Sequence, residues 1–201
     1  MSMLFSPFNL SGIALKNRVV MAPMTRARAL NDIPDALTTL YYRQRASAGL
    51  SISEGVPVSI QGRGYLFNPG LYNQEQVQGW KQVTDAVHEE GGKIFAQLWH
   101  VGRVSHTTLQ PGGGAPVSSS DRLAANSMTY AWDENRQPGP IQASTPRALS
   151  TLEVEGLVQD FVLAARRAME AGFDGVEIHG ANGYLFEQFI NPGVNDRTDR
   201  Y

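Results

Sequence analysis

Apolar residues follow two periodicities that alternate along the chain. Runs of strand length stand at Arg18-Val-Val-Met21, Leu50 to Val56, Lys93 to Leu98 and Val176 to Ile178, and each predicts a short buried strand. Between them the spacing is helical. Leu37, Leu40, Tyr41 and Ala48 predict a helix over 35–47 that starts at Asp32 or Asp35 and stops at Gly49. Val77, Trp80, Val83, Thr84 and Val87 share a face of a second helix, opened by the capping box Asn73-Gln-Glu-Gln76 and closed by Gly91-Gly92. A third runs from the capping box Ser150-Thr-Leu-Glu153 to Ala171, with Leu157, Phe161, Leu163, Ala164 and Ala168 as its apolar face. Leu185 to Ile190 predicts a short helix ended by Asn191-Pro192, and alternation about Leu10-Ser-Gly12-Ile predicts a small hairpin within 4–15. Residues 101–150 break the pattern with prolines and glycines; loops of that length are functional or carry small elements of their own.

A repeated strand-then-helix unit implies parallel pairing through right-handed crossovers. Polar or unusual residues follow every strand: Pro23-Met-Thr25, Glu54-Gly55, Gln97 with Trp99-His100, and His179 to Tyr184. That one-sided clustering is the mark of the active face of an α/β (β/α)8 TIM barrel. Four strands are legible where such a barrel has eight, so residues 1–201 read as an amino-terminal half of one barrel domain.

Composition narrows the function. A hydrophobic content of 42% with 18% charged residues describes a globular protein. A net charge of −2 without a basic run argues against nucleic acid as a partner. The absence of cysteine excludes disulfides and cysteine-ligated metals from these residues, and no carboxylate–histidine cluster suggests another metal site. Without an apolar run of membrane-spanning length or a leader pattern, no membrane association is expected and the cytoplasm is the default location.

The chemistry concentrates in Val176-Glu-Ile-His179-Gly-Ala-Asn182-Gly-Tyr184. His179 and Asn182 can both donate to one oxygen, and Tyr184 can supply a proton. This set suits the polarisation of a carbonyl. Two fixed donors at an oxygen that gains charge contribute on the order of 3–4 kcal/mol each in other oxyanion holes.

Met21-Ala-Pro-Met-Thr25-Arg, Tyr41-Tyr-Arg-Gln-Arg-Ala, Phe95-Ala-Gln97-Leu-Trp99-His100-Val-Gly-Arg103, Thr145-Pro-Arg-Ala-Leu, His179-Gly-Ala-Asn182-Gly-Tyr184-Leu and Asn195-Asp-Arg197-Thr-Asp199-Arg-Tyr201 stand in this order. With them the chain resembles the Old Yellow Enzyme family of FMN-dependent ene-reductases, N-ethylmaleimide reductase among them, over essentially its whole length. The resemblance implies an amino-terminal hairpin followed by strands one to four of the barrel. It implies FMN as cofactor and NAD(P)H as electron source for reducing the C=C bond of α,β-unsaturated carbonyls or nitroalkenes. Pro23, Met24, Thr25, Gly55, Gln97 and His179 would contact the flavin; His179 and Asn182 would bind the substrate carbonyl and Tyr184 would protonate Cα. Tyr65 and Trp99 would wall the substrate pocket. Thr25 stands where some members use cysteine, and Asn182 where several carry a second histidine. A second chain or copy would complete the barrel.

Duller readings stand beside these. His88 and His106 suit surface positions, His100 a satisfied structural role, Tyr65 and Trp99 simple packing, Gly55 close approach, and Arg103 and Arg197 the tying of loops. Two other functions stay open: an incomplete barrel fragment that binds flavin or a partner without catalysis, and a dienoyl-CoA reductase-type relative with an iron–sulfur cluster.

Overall fold

The computed structural model describes residues 2–201. In chain order the elements are β1 (Phe8–Leu10), β2 (Ile13–Leu15), β3 (Val20–Met21), α1 (Ala36–Arg43), β4 (Leu50–Pro57), α2 (Gln74–Glu89) and β5 (Ile94–Trp99). There follow β6 (Val117–Ser118), β7 (Met128–Trp132), β8 (Pro138–Gln142), β9 (Arg147–Ala148), α3 (Thr151–Glu170), β10 (Gly175–Ile178) and α4 (Leu185–Ile190). The chain forms two compact units.

The first unit comprises the residues up to Val56 with Phe67–Leu98 and Ala164–Ile178. Its sheet has the order β10-β5-β4-β3, so consecutive strands of the alternating pattern lie side by side. β3 runs parallel to β4 with Val20 opposite Leu50, and β10 parallel to β5 with Glu177 opposite Gln97. This is the arrangement of successive strands in a (β/α)8 barrel. The hairpin β1–β2 turns through Ser11 and Gly12, both at positive φ, where glycine carries no Cβ penalty. Its Leu10 and Ile13 pack with Leu15, Leu50, Ile52 and Phe95.

Capping fixes the helix starts. Asp35, not Asp32, caps α1 by accepting the Thr38 N–H at 2.8 Å. The Asn73–Gln76 box is formed in both directions at α2. Along α2, Val77, Trp80, Val83, Thr84 and Val87 are buried as expected, with Trp80 against Tyr42 and Phe173 at ring-centroid distances of 6.0 and 5.3 Å.

Three expectations are corrected here. The inward face of α1 is Tyr42 with Ala46 beyond its end, whereas Leu37 and Leu40 are exposed. The helix also ends at Arg43, and it carries apolar residues on two faces, which a one-face reading of its period cannot separate. Leu37, Leu40 and Tyr41 line an open groove of about 1080 Å³ together with Val19, Met21 and Pro23. β10 and β3, read as buried strands, are the two edges of the sheet, and Val176, Ile178 and Val20 are exposed, uncovered by any of the described residues.

The second unit comprises Pro57–Leu66, Trp99–Leu163 and His179–Tyr201. The stretch 101–150 is structured after all. β7 and β8 form an antiparallel ribbon from Met128 opposite Gln142 to Trp132 opposite Pro138, and β6 pairs parallel with β9. Pro138 and Pro140 hide β8 from a sequence reading, because proline cannot donate to a ladder; a two-stranded ribbon tolerates them on its outer side. Asp133 closes the ribbon turn by accepting the N–H groups of Asn135 and Gln137 at 2.9 and 2.7 Å. At α3, Ser150 and Glu153 form the expected reciprocal box: the Glu153 N–H donates to Ser150 Oγ at 3.3 Å and the Ser150 N–H to Glu153 Oε2 at 2.7 Å. Arg197 ties loops together through the Leu149 carbonyl and Asp199, as Arg103 does through the Arg122 carbonyl at 2.9 Å.

Candidate active site

The second unit brings four of the expected residues together, three of them around one indole. Trp99, at the end of β5, stacks with both Tyr65 and His179, with centroids at 5.6 and 5.8 Å and near-parallel planes. Tyr184 stands edge-on to both Trp99 (4.9 Å) and His179 (5.0 Å). Its hydroxyl oxygen lies 3.2 Å from that of Tyr65. Val101, Val104, Ala124 and Ala143 pack around this group. Aromatic pairs in such offset and edge geometries hold each other's orientation beyond what burial alone gives.

Local backbone sets the polar groups. His179 directly follows β10. Asn182 and Gly183 both take left-handed conformations, φ 60 and 74, which turns the chain into α4 and leaves the Asn182 amide exposed. The Gly183 N–H donates to Glu187 Oε2 at 2.6 Å. Burial, and secondarily the Tyr65 contact, push the Tyr184 hydroxyl above its ordinary range, so it holds its proton throughout the neutral region. An acid that stays loaded, beside two donors, is the equipment for carbonyl activation with proton delivery.

Gln188, which sequence reasoning did not single out, anchors this loop. Its buried amide donates to the Val101 and Gly183 carbonyls at 3.0 and 2.7 Å. Its Oε1 accepts from the Arg103 N–H at 3.0 Å and from Ser118 Oγ at 2.8 Å. Gly102 is required beside it: a Cβ there would stand 1.9 Å from Gln188 Oε1, at a φ of +61. His100 is fully buried and held neutral, its pKa lowered to about 3 by burial alone. Its Nδ1 accepts the Gly102 N–H at 3.0 Å, which places the proton on Nε2. Among the described residues Nε2 has no hydrogen-bond partner, so the expected satisfied histidine is satisfied on one side only.

The first unit carries the other expected set: Pro23, Met24 and Thr25 after β3, Gly55 on β4 and Gln97 on β5. Two carboxylates that the sequence shows but to which it assigns no role, Glu54 and Glu177, position it. Glu54 Oε2 accepts the N–H groups of both Arg26 and Ala27, at 3.0 and 3.2 Å, and so fixes the turn that follows Thr25. Burial raises the Glu54 carboxyl above its usual range against the pull of these two amides. The Glu54 N–H donates to the buried Tyr42 hydroxyl at 2.7 Å, and Asn68 Nδ2 donates to the Gly55 carbonyl at 3.0 Å. Glu177 accepts from Gln97 Nε2 at 2.8 Å, which assigns the other side-chain atom of Gln97 as an acceptor. A carboxylate inside an apolar strand was the signal for both. A hydroxyl donor at Thr25, an amide acceptor at Gln97 and apolar Pro23 and Met24 match the alternating acceptor and donor edge and the flat face of a flavin ring, so the donor set fits FMN.

His88 Nε2 and Lys93 Nζ both meet Asp174, at 2.8 and 2.7 Å, so the part-exposed His88 is hydrogen-bonded to a carboxylate. Among the described residues no helix is long and apolar enough to cross a membrane, and no group of three metal-ligating side chains occurs.

Residues 3–201 match the NADH:flavin oxidoreductase / NADH oxidase family. The chain is 48% identical to 12-oxophytodienoate reductase 7 of Oryza sativa subsp. japonica over 200 residues, which cover 98% of this chain and 50% of that protein. It is 46% identical over 200 residues to 12-oxophytodienoate reductase 2 of Arabidopsis thaliana, with 98% and 52% covered. Among solved structures, morphinone reductase in complex with tetrahydroNAD superposes with a TM-score of 0.97 at 48% identity, over 100% of this chain and 55% of that one. The old yellow enzyme homologue from Zymomonas mobilis gives 0.91 at 42% identity, over 98% and 54%. The chain thus spans about half the length of the relatives it matches.

Proposed function

The chain belongs to the NADH:flavin oxidoreductase / NADH oxidase family, which includes the Old Yellow Enzymes, and on that footing we propose that it works in the FMN-dependent reduction of activated C=C bonds with electrons from NAD(P)H. The observation that carries this reading is the group formed by His179, Tyr184 and Trp99, with the exposed Asn182 amide beside it. The relatives named as 12-oxophytodienoate and morphinone reductases support α,β-unsaturated carbonyls as the substrate class, and the tetrahydroNAD complex supports a nicotinamide as reductant.

In this reading Pro23 and Met24 would lie against the ring, Thr25 would donate to a ring carbonyl, and Gln97 and Gly55 would meet its polar edge. When bound, the flavin supplies hydride for the β carbon of the alkene. His179 and Asn182 hold the substrate's carbonyl oxygen and favour the charge that develops on it. Tyr184 gives its proton to Cα. Trp99 holds the planes of His179 and Tyr184, and Tyr65 meets the Tyr184 hydroxyl.

Residues 1–201 then make the amino-terminal half of one flavin-binding barrel domain. The exposed apolar residues of the edge strands, Val20, Val176 and Ile178, are the positions that further strands would cover. The relatives, about twice as long, support that completion.

The test is anaerobic reduction of the flavin-loaded protein by NAD(P)H followed by mixing with a cyclic enone. Flavin reoxidation by the enone supports the reading. His179→Ala and Asn182→Ala should each weaken enone reoxidation about 10²–10³-fold, as loss of one oxyanion donor does elsewhere. Reoxidation unaffected by either change, or a flavin that no enone or nitroalkene reoxidises, would refute it.

A further inference from the structure

Asn182-Gly183 is the only Asn-Gly pair in the sequence, and such a pair carries a reaction of its own. The glycine backbone nitrogen, unhindered by a side chain, attacks the asparagine Cγ. The N–H proton leaves, an N–Cγ bond forms, and the bond from Cγ to the side-chain nitrogen breaks to release ammonia. Water then opens the succinimide ring at either carbonyl and leaves aspartate or isoaspartate. Asn182 is exposed, so water reaches it freely. The product exchanges a hydrogen-bond donor for a carboxylate. At this position that exchange would remove one of the two donors to the substrate oxygen and set a negative charge against the one that develops there.

The loop holds the attacking nitrogen back in two ways. Ring closure brings Cβ of Asn182 and the Gly183 nitrogen nearly into eclipse about the Cα–C bond, whereas the left-handed backbone at Asn182, φ 60, keeps them apart. The Gly183 N–H also donates to Glu187 Oε2 in the first turn of α4, at 2.6 Å. While that bond stands the proton is held, and a nitrogen that lost it would face a carboxylate oxygen at short range, like charge against like. Neighbouring bonds pin the same turn: the Tyr184 N–H donates to the Ala181 carbonyl at 3.3 Å, and Gln188 Nε2 to the Gly183 carbonyl at 2.7 Å. Of these contacts, the one from Glu187 reaches the attacking nitrogen itself. We propose that Glu187 protects Asn182 from cyclisation: it is a positioning residue that keeps the Gly183 nitrogen turned toward α4 and so preserves the side-chain amide. The consequence for catalysis rests on the proposed ene-reduction; the protection itself does not.

The test is timed incubation in mildly alkaline buffer, followed by digestion and mass spectrometry of the peptide that contains Asn182, with electron-transfer fragmentation to separate aspartate from isoaspartate. The unsubstituted protein, Glu187→Ala and Glu187→Gln are each followed folded and in urea. Glu187→Ala removes the acceptor and should speed conversion of Asn182 about ten- to a hundredfold over the folded parent, the factor that a hydrogen bond to a charged group carries. Glu187→Gln keeps an oxygen able to accept the same N–H and should recover most of the protection. In urea all three should convert at one rate, because the contact exists only in the fold. Asn126-Ser127, exposed elsewhere in the same unit, is the internal reference, and its conversion should be equal in the three folded proteins. A Glu187→Ala protein that converts Asn182 no faster than the parent overturns the proposal, and so does one in which Asn126 accelerates equally, since the fold at large would then be the protector. A folded parent that converts Asn182 as fast as it does in urea overturns it without recourse to any variant. None of these readouts needs flavin, so failure of the protein to reduce an enone would count against the functional reading alone.

Discussion

Replacing Gln188 by leucine tests how the candidate loop is held. The side chain is nearly inaccessible, and its amide is fully used: two donations to carbonyls and two acceptances, from a backbone N–H and a hydroxyl. Leucine preserves most of the volume and none of the partners. Each buried polar group left without a partner costs about 1–3 kcal/mol. Arg103 is only half-buried and Ser118 can rotate its hydroxyl, so these two recover part of their loss. The Val101 and Gly183 carbonyls bear most of it, for a net loss of about 4 kcal/mol, a large fraction of ordinary domain stability. The assay is urea unfolding of Gln188→Leu against the unsubstituted protein, with hydrogen exchange of the Arg103 amide as the local probe. Ser118→Ala removes one partner only and should cost about 1 kcal/mol. A Gln188→Leu protein within about 1 kcal/mol of the parent, with Arg103 still protected, would refute the reasoning.

Other outcomes follow from single contacts. Lys93, His88 and the Ile94 N–H together outweigh burial and hold the Asp174 carboxyl below its ordinary range. Because the folded pKa is depressed, this stabilisation is complete above the unfolded carboxylate value and is lost as pH falls through the folded one. Asp174→Asn should therefore be less stable than the parent near pH 7 and equal to it in strong acid; a constant gap across pH in thermal melts would refute the linkage. Tyr42→Phe leaves the buried Glu54 N–H without its acceptor and should cost about 1–3 kcal/mol in denaturant unfolding. Glu54→Gln keeps an oxygen able to accept from Arg26 and Ala27, whereas Glu54→Leu does not, so amide exchange at these two residues should be fast only in the leucine variant. Ser150→Ala breaks one arm of the box at α3 and should lower stability by about 1 kcal/mol.

What the sequence revealed and what it hid divide by range. Asn73 with Gln76 and Ser150 with Glu153 are local pairs whose partners stand three residues apart, and both boxes form. The strands were legible as apolar runs and the strand ends as polar residues. The exposure of Val176 and Ile178 was not, because a run of apolar residues reports what a strand can bury and says nothing of whether a neighbour is there. The α1 face failed for the same reason, since both of its apolar sides fit a helical period. Around the site, Trp99 and His179 were found as motif members, yet their stacking needed the fold. Gln188 draws its partners from residues 101–103, 118 and 183, separations no periodicity can show. Glu54 and Glu177 were visible as charges in apolar strands, an oddity that points to a buried partner without naming it.

The left-handed backbone at Asn182 restricts which side chains this position can try over evolutionary time. Outside glycine, asparagine, aspartate and histidine are the residues that most readily accept such a conformation. Of these, glycine and ionised aspartate have no side-chain proton to offer a substrate oxygen, which leaves asparagine and histidine. The same pair is what the family resemblance implies for this site. Glutamine would supply an equivalent amide and serine an equivalent hydrogen bond, yet both would meet a backbone penalty before any chemistry begins. Conformation and reactivity thus select the same narrow alphabet, and a library randomised at Asn182 should return histidine ahead of glutamine.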